Sequence, residues 1–299
     1  MKSYMDYSEE VKKAIENNQP ILALESTVIT HGLPYPINLE TANELEHIAR
    51  NNGVTPATIA IINGRIKVGV EPDELELLAK NKDMLKASTR DLAYILAHQY
   101  SAGTTVAATM FIAAAAGIKV FATGGIGGVH RGEALDISAD LIELARTPVA
   151  VVCAGAKAIL DLPRTLEFLE THHVPVIGYR TDTLPAFYTP RTSHQLHAKV
   201  NDVDSLAKML HIHQAIGLSS GMLIVNPIPE EHAISDEVIE PIIRNAIQKA
   251  EQAQVSGKAM TPFLLKEVAL VTAGSSIKAN IALIKNNVRL GAQLAATVR

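Results

Sequence analysis

Short apolar runs alternate with helical patterns along nearly the whole chain, and this alternation constrains the fold more than any other feature. The strand-like runs lie at 21–25, 57–62, 65–70, 118–123, 149–154, 174–179 and 221–226. Apolar residues recur about every 3.6 positions, as in helices, at 39–51, 89–98, 104–116, 138–146, 163–172, 203–216 and 235–255. The pattern predicts a three-layer α/β/α sandwich around a mostly parallel sheet. The two closely spaced runs within 57–70 predict a hairpin, and hence a mixed sheet.

The length of the chain allows one large domain. No internal repeat or low-complexity linker divides the 299 residues, so we predict a single catalytic domain over residues 1–299. Apolar residues make up 47% of the chain but aromatic residues only 4%, which suits helices packed on aliphatic strands. The C-terminal run at 275–298 has a serine cap and a long periodic face, as expected of a packed helix.

Charge and apolar patterning argue against nucleic acid and membrane partners. The formal net charge of -4 is modest and dispersed, without a basic patch. The N-terminal segment at 1–18 lacks the apolar core of a signal peptide, and the apolar run at 106–118 is too short to span a bilayer. The single cysteine, Cys153, cannot form an internal disulfide and lies in a run that predicts burial. We therefore predict a cytoplasmic enzyme acting on a small molecule.

A glycine-rich turn, GGIGG at 124–128, follows the strand-like run at 118–123. It is not a Walker A loop, because GK[ST] is missing, and it is not the dinucleotide fingerprint, because His130 stands where the last glycine is required. The next helical pattern begins only near Ser138, so the connection is a long loop. These features argue against a nucleotide cofactor and favour a site for a small anionic substrate.

Lys157 lies in an apolar run, between VVCAGA and AIL. An ammonium there loses hydration that only a partner or a lowered pKa would offset. A desolvated neutral lysine is a nucleophile, and its characteristic reaction is Schiff-base formation with an aldehyde or an open-chain sugar. The alternative is a side chain that extends from a strand end to water.

Two aspartates, Asp136 and Asp140, are four positions apart where the chain enters a helix, with Ser138 between them as a cap. We expect both carboxylates on one side of the first turn, where they suit Mg2+ or Mn2+. Helix capping is the alternative explanation of this spacing. His130 and Glu133 would join either role, and His130 is better suited to contact phosphate or substrate than metal.

Other polar residues stand at places where α/β folds bind ligands. Glu25 ends the strand-like run at 21–25 and would serve as a general acid or base, or alternatively as a turn residue satisfied by nearby amides. Lys86 would bind phosphate, unless it is an ordinary solvated lysine. The Pro-rich segment at 183–194 predicts a long loop, either a lid over the site or a surface excursion.

Long, individually uncommon blocks follow one another in order along the chain. They read LALESTVITHGLPYPINLETA, KASTRDL, GTTVAATM, FATGGIGGVHRGE, DISADL, VVCAGAKAILDLPRTLEFLET, NPIPEEHAI, GKAMTPFLL and IKANIALIKNNVRLGA. Together they cover nearly the whole chain and resemble the pseudouridine-5'-phosphate glycosidase family, also called indigoidine synthase A-like. The resemblance implies an α/β/α fold and a homotrimer.

The resemblance also implies a reaction, namely reversible cleavage of the C–C bond between ribose C1' and uracil C5 of pseudouridine 5'-phosphate. The products are uracil and ribose 5-phosphate, and a divalent metal takes part, usually Mn2+. By resemblance, Lys157 is the nucleophile that forms a Schiff base with ring-opened ribose, Glu25 is the proton donor, and Asp136 holds the metal. The implied substrate contacts are Lys86, Val106, Ser138, Ala139 and Asp140, with phosphate or ribose contacts from Thr123, His130 and Asn280.

The chain departs from the family in the loop after Tyr179. The family usually carries glycine after this tyrosine and acidic and aromatic residues before PAFY, whereas this chain has Arg180 and Leu184. We expect this departure to affect the geometry of a lid over the site and the fine preference among substrates. Two alternative functions stay open, a Schiff-base lyase or aldolase acting on another sugar phosphate, and a non-catalytic sugar-phosphate sensor. Uracil recognition separates the first from the glycosidase, and the joint presence of Glu25, Asp136 and Lys157 argues against the second.

Overall fold

The computed structural model describes residues 1–132, 136–255 and 257–298, without the side chain of Lys258. The strands are β1 Met5–Tyr7, β2 Ile21–Leu24, β3 Thr55–Ile62, β4 Arg65–Val68, β5 Leu85–Ala87, β6 Ala102–Thr104, β7 Val120–Ala122, β8 Val129–His130, β9 Ala150–Cys153, β10 Leu160–Asp161, β11 Val176–Tyr179, β12 Ala198–Val200 and β13 Met222–Val225. The helices are α1 Glu9–Glu16, α2 Ile37–Asn51, α3 Pro72–Lys80, α4 Leu92–Ala97, α5 Val106–Ala115, α6 Ala139–Arg146, α7 Leu162–Thr171, α8 Val203–Ala215, α9 Asp236–Gln252, α10 Met260–Val271 and α11 Ser275–Thr297.

The main sheet is mixed and mostly parallel, as predicted. Its strand order is β1-β4-β3-β2-β7-β9-β13-β11-β12, and every neighbouring pair from β3 to β12 is parallel. Strands β3 and β4 form the expected antiparallel hairpin, and β6 with its parallel neighbour β5 joins the other edge of β3. The short strands β8 and β10 form a separate antiparallel pair.

Helices cover the sheet in layers. Helix α11 packs on β2, β7 and β9, with α2 and α8 beside it, whereas α5 packs on β2 and β3 and contacts α6. The core is aliphatic, because the central strands are buried on both faces. Cys153 lies fully buried in β9, as predicted, and burial raises the pKa of its thiol to about 12. The predicted α/β/α class is therefore confirmed.

The parallel strands bring distant residues to one edge of the sheet. Leu24 of β2 pairs with Ala122 of β7, which pairs with Val152 of β9, so these strands end side by side. The residues that follow them, including Glu25 and Thr123, therefore lie close together. This carboxyl edge is the place where α/β folds bind ligands.

Some predicted elements differ from the observed ones. The predicted helix at 89–98 divides into a 3-10 turn, Thr89–Asp91, and α4. The serine cap predicted for the C-terminal helix is wrong, because Gly274 occupies the capping position with φ of +82° and no side-chain hydrogen bond. A left-handed residue is needed there for the tight connection from α10. None of the described helices is long and apolar enough to cross a membrane.

The sequence patterns did not predict several short or amphipathic elements. They are β1, β5, β6, β8, β10, β12, α1, α3 and α10. The strands among them have two or three residues each, which is too short for an alternating pattern to be recognised. Such strands exist because a neighbouring strand supplies their hydrogen bonds.

Candidate active site

A cavity of about 540 Å³ opens at the carboxyl edge of the sheet. Its volume falls in the usual range for small-molecule sites. Ten of the eleven site residues predicted from the sequence line it: Glu25, Lys86, Val106, His130, Asp136, Ser138, Ala139, Asp140, Lys157 and Asn280. The structure thus brings together residues of β5, β8, α5, α6 and α11 with residues of the connections after β2, after β9 and before α6.

Thr123 is the predicted site residue that does not line the cavity. It is fully buried, and its hydroxyl donates a short hydrogen bond to Oε1 of Glu25. The reason is the pairing of β2 with β7, which places the residues after both strands next to each other. Thr123 therefore contacts a predicted catalytic carboxyl rather than the cavity.

The surroundings of the Glu25 carboxyl favour its protonated form. Burial raises the pKa of its carboxyl and outweighs the nearby Lys157 ammonium and the Thr123 hydroxyl, which both lower it. A carboxyl with a raised pKa stays protonated to a higher pH than an ordinary glutamate and can deliver its proton to a substrate. Its place in the cavity wall gives it access to a bound molecule.

We expect Thr123→Val to shift the pH dependence of catalysis. Valine keeps the shape of threonine but removes the hydrogen bond that lowers the pKa of Glu25, so that pKa rises further. If protonated Glu25 is the acid, activity is lost as pH rises through its pKa, and the alkaline limb of kcat/KM moves to higher pH in the variant.

The matched control is Thr58→Val. Thr58 donates the same kind of buried hydrogen bond, 2.7 Å long, to Glu46, which is not among the residues that line the cavity. This variant should lose stability without a change in the pH profile. An alkaline limb that does not move in Thr123→Val would contradict the assignment of Glu25 as the acid.

Lys157 lies in the loop after β9. Its backbone N–H donates to the carbonyl of Ile126 at 3.0 Å, and its own carbonyl accepts from Leu160 at 3.0 Å. The side chain is half-buried, lines the cavity and makes no hydrogen bond or ion pair with another described residue. The amine is therefore not committed to a structural role, as a nucleophile requires.

Asp140 has both carboxylate oxygens engaged by the backbone. Oδ1 accepts the N–H of Ala107 at 2.9 Å, and Oδ2 accepts the N–H of Gly127 at 2.8 Å. The carboxylate thereby joins the start of α5 to the glycine-rich loop. A Cβ at Gly127 would collide with Oγ of Ser138, so the loop approaches α6 too closely for a side chain.

The two aspartates do not share the first turn of a helix, contrary to the prediction. Helix α6 begins only at Ala139, with Ser138 as the predicted cap accepting the N–H of Asp140 at 3.2 Å. Asp136 precedes this cap, and its carbonyl accepts the N–H of His130 at 2.9 Å. The local pairing of these two segments draws Asp136 away from the helix.

The donor set around Asp136 suits only a cation that keeps most of its water. Among the described residues no group of three or more His, Cys, Asp or Glu side chains is placed to hold a metal. The Asp136 carboxylate lines the cavity near His130, whose pKa burial holds below its usual value although Asp136 raises it. One carboxylate plus waters is a set that Mg2+ or Mn2+ accepts. Glu133, the other predicted candidate, lies outside the described residues.

Several cavity residues were missed from the sequence. His31 and Arg90 line it, together with apolar side chains of α6, α7 and α10. The histidine follows Glu25 in STVITHG and the arginine follows Lys86 in KASTRDL, so proximity to predicted site residues was the available signal. Burial, followed by the charge of Lys86, lowers the pKa of His31. The cations Lys86 and Arg90 make the cavity suitable for an anion.

The loop after Tyr179 forms a packed wall. Its residues Leu184, Phe187 and Tyr188 are buried, and Phe187 lines the cavity. The side chain of Arg180 points elsewhere and donates to the carbonyl of Asn201 at 3.1 Å. The divergent positions 180 and 184 thus do not line the cavity themselves.

Comparison with known proteins assigns the family. The profile of the family described as "Indigoidine synthase A like protein" matches residues 10–297. The chain belongs to the indigoidine synthase A-like family. Two relatives within this family are named pseudouridine-5'-phosphate glycosidase. The protein from Caldanaerobacter subterraneus is 57% identical over 99% of this chain and 97% of its own, and that from Staphylococcus aureus is 53% identical over 100% and 98%.

Solved structures of the family have the same fold. An indigoidine synthase A-like protein from Thermotoga maritima superposes with a TM-score of 0.90 at 33% identity, covering 98% of this chain and 95% of that one. The prealnumycin C-glycosynthase AlnA, solved in complex with ribulose 5-phosphate, also gives 0.90, at 36% identity, with 98% and 96% covered. The family assignment and the classification as an enzyme, both predicted from the sequence, are confirmed.

Proposed function

We propose that this protein catalyses the reversible cleavage of the C–C glycosidic bond of pseudouridine 5'-phosphate to uracil and ribose 5-phosphate, as one catalytic domain spanning residues 1–299. The observation that carries the proposal is the presence of an uncommitted amine, Lys157, and a carboxyl with a raised pKa, Glu25, in one cavity. The names of the relatives indicate the substrate, and the ribulose 5-phosphate complex of a relative supports binding of a pentose 5-phosphate.

The first chemical step opens the ribose ring. The lone pair of Lys157 Nζ forms a bond to C1' while the bond from C1' to O4' breaks. The nitrogen loses one proton and O4' gains one, so the step is balanced. The uracil remains attached to C1' of the open chain.

The second step breaks the C–C bond. The nitrogen lone pair forms the C1'=N bond as the electrons of the C1'–C5 bond pass to uracil, and Glu25 supplies the proton that C5 gains. Water then hydrolyses the imine, which releases ribose 5-phosphate and the free amine. Glu25 regains its proton from solvent, so the net reaction consumes one water.

The cations of the cavity would hold the anionic end of the substrate. We assign the phosphate to Lys86 and Arg90, with a backbone contact at Val106, the first residue of α5. The remaining predicted contacts are Ser138, Ala139, Asp140, His130 and Asn280. Because Asp140 already accepts two backbone hydrogen bonds, its contribution is to position Val106 and the glycine-rich loop.

The proposal includes a divalent cation, with Mn2+ as the ion implied by the resemblance. Asp136 would hold it. When bound, the cation would supply positive charge and help to orient an anionic substrate. A homotrimer, also implied by the resemblance, completes the proposal, and light scattering of the purified protein would measure it.

The proposal is tested by incubating the protein with Mn2+ and pseudouridine 5'-phosphate, followed by borohydride. We expect uracil release and a reduced ribose-phosphate adduct on Lys157, identified by peptide mass, and slower release in EDTA. An adduct formed only from other sugar phosphates, without uracil release, would favour the lyase or aldolase. Saturable binding with neither uracil nor adduct would favour the sensor.

A further inference from the structure

Arg131 donates hydrogen bonds to the backbone of the segment that follows Lys157. Its Nε donates to the carbonyl of Leu160 at 3.1 Å, and its Nη2 donates to the carbonyl of Ala158 at 2.9 Å. The side chain is 29% exposed, so these hydrogen bonds are largely shielded from water. Arg131 is absent from the residues that line the active-site cavity, and so its contacts do not involve the substrate.

The Glu240 carboxylate, in α9, accepts two hydrogen bonds from the same guanidinium group. Nη1 of Arg131 donates to Oε1 at 2.7 Å and Nη2 donates to Oε2 at 3.1 Å, a bidentate arrangement. Such pairs fix the direction of the guanidinium as well as its position. Glu240 also accepts from Arg244 at 2.9 Å, but the side chain of Arg244 is 73% exposed, and no hydrogen bond joins it to the described residues of the segment that follows Lys157.

Strand pairing connects this arrangement to both sides of the site. His130, next to Arg131, pairs with Leu160 in the β8–β10 ladder. The carbonyl of Lys157 accepts the N–H of Leu160, which closes the turn at 157–160. Arg131 therefore binds the backbone of the turn at 157–160, and this turn carries the Lys157 amine.

We propose that the Arg131–Glu240 pair is a positioning device for the nucleophile, holding the turn at 157–160 so that the Lys157 amine meets the sugar carbon. The inference rests on the proposed function of Lys157. Since neither member of the pair lines the cavity, the pair acts on the rate of imine formation and not on substrate affinity. A small displacement of a reacting group has a large effect on rate.

The test compares Arg131→Lys and Glu240→Gln with the matched control Arg244→Gln. Lysine cannot reproduce the paired N–H donors of the Arg131 guanidinium, and glutamine keeps the shape of Glu240 but not its charge. We expect kcat and the rate of borohydride trapping at Lys157 to fall about 10- to 100-fold in both, with KM within about twofold of the parent. The double variant should be no slower than the worse single variant, and Arg244→Gln should match the parent.

Rates are expressed per folded molecule, measured by circular dichroism at the assay temperature. Trapping rates equal to those of the parent in Arg131→Lys and Glu240→Gln would overturn the positioning role, because lower stability alone does not change the rate of the folded enzyme. A parent protein that gives neither uracil nor adduct would instead overturn the proposed function, and the inference with it. An active parent with unaffected variants overturns the inference alone.

Discussion

Replacing Lys157 with alanine should lower the turnover of pseudouridine 5'-phosphate by about 10³-fold or more, since the amine that forms the covalent bond is lost and the other lysine that lines the cavity, Lys86, is assigned to the phosphate. The fold should be unaffected. The side chain is half-buried and makes no hydrogen bond or ion pair with another described residue, so the free energy of unfolding should change by about 0.5 kcal/mol or less. Single-turnover release of uracil and thermal unfolding measure the two quantities.

The matched control is Lys119→Ala. Lys119 is an exposed lysine just before β7 and lies outside the residues that line the cavity. Its removal should leave the rate and the stability unchanged. Ordinary turnover in Lys157→Ala would disprove the Schiff-base mechanism, whereas an unfolded variant would show that the amine has a structural partner.

Replacing Asp140 with alanine should lower the free energy of unfolding by about 2–5 kcal/mol, because one buried and one half-buried N–H group lose their acceptor. These are the N–H groups of Ala107 and Gly127, and an unpaired buried donor carries its full desolvation cost. Asp140→Asn retains one acceptor oxygen and should lose less. Urea unfolding at neutral pH measures the differences.

A suitable control is Asp204→Ala, since Asp204 is exposed in the first turn of α8 and should contribute about 0.5 kcal/mol or less. Activity per folded molecule should also fall in Asp140→Ala, as the start of α5 and the glycine-rich loop are no longer joined. Unchanged stability with a raised KM would be the opposite result. That result would support the direct contact between Asp140 and the substrate that the family resemblance implies.

The positions of Glu25 and Lys157 were predictable from the chain because each follows an apolar run that forms a parallel strand. Parallel strands in a wound sheet end on the same side, so residues after β2, β7 and β9 meet at one edge without any knowledge of side-chain contacts. The hairpin of β3 and β4 was predictable for a similar reason, since a short connection between apolar runs permits only antiparallel pairing.

The role of Asp140 and the pair of Arg131 with Glu240 were not predictable. Asp140 accepts hydrogen bonds from residues 33 and 13 positions away, and Arg131 binds a residue 109 positions away. Neither partner follows from local spacing, which suggested a helix turn and a metal site for Asp136 and Asp140. The cap at Ser138 was predicted correctly, since capping depends on the adjoining residues alone.

The sequence by itself determined the layered fold, the family and the candidate residues at strand ends, because these depend on periodicity and on ordered local motifs. Only the tertiary structure decided which polar groups are already engaged. In the folded protein, Thr123 donates a hydrogen bond to Glu25, and Asp140 accepts hydrogen bonds from two backbone N–H groups. Lys157 lines the cavity, where its amine is available to a ligand. Hydrogen bonds between distant segments are specific to geometry, and that geometry exists only once the sheet and its helices are packed.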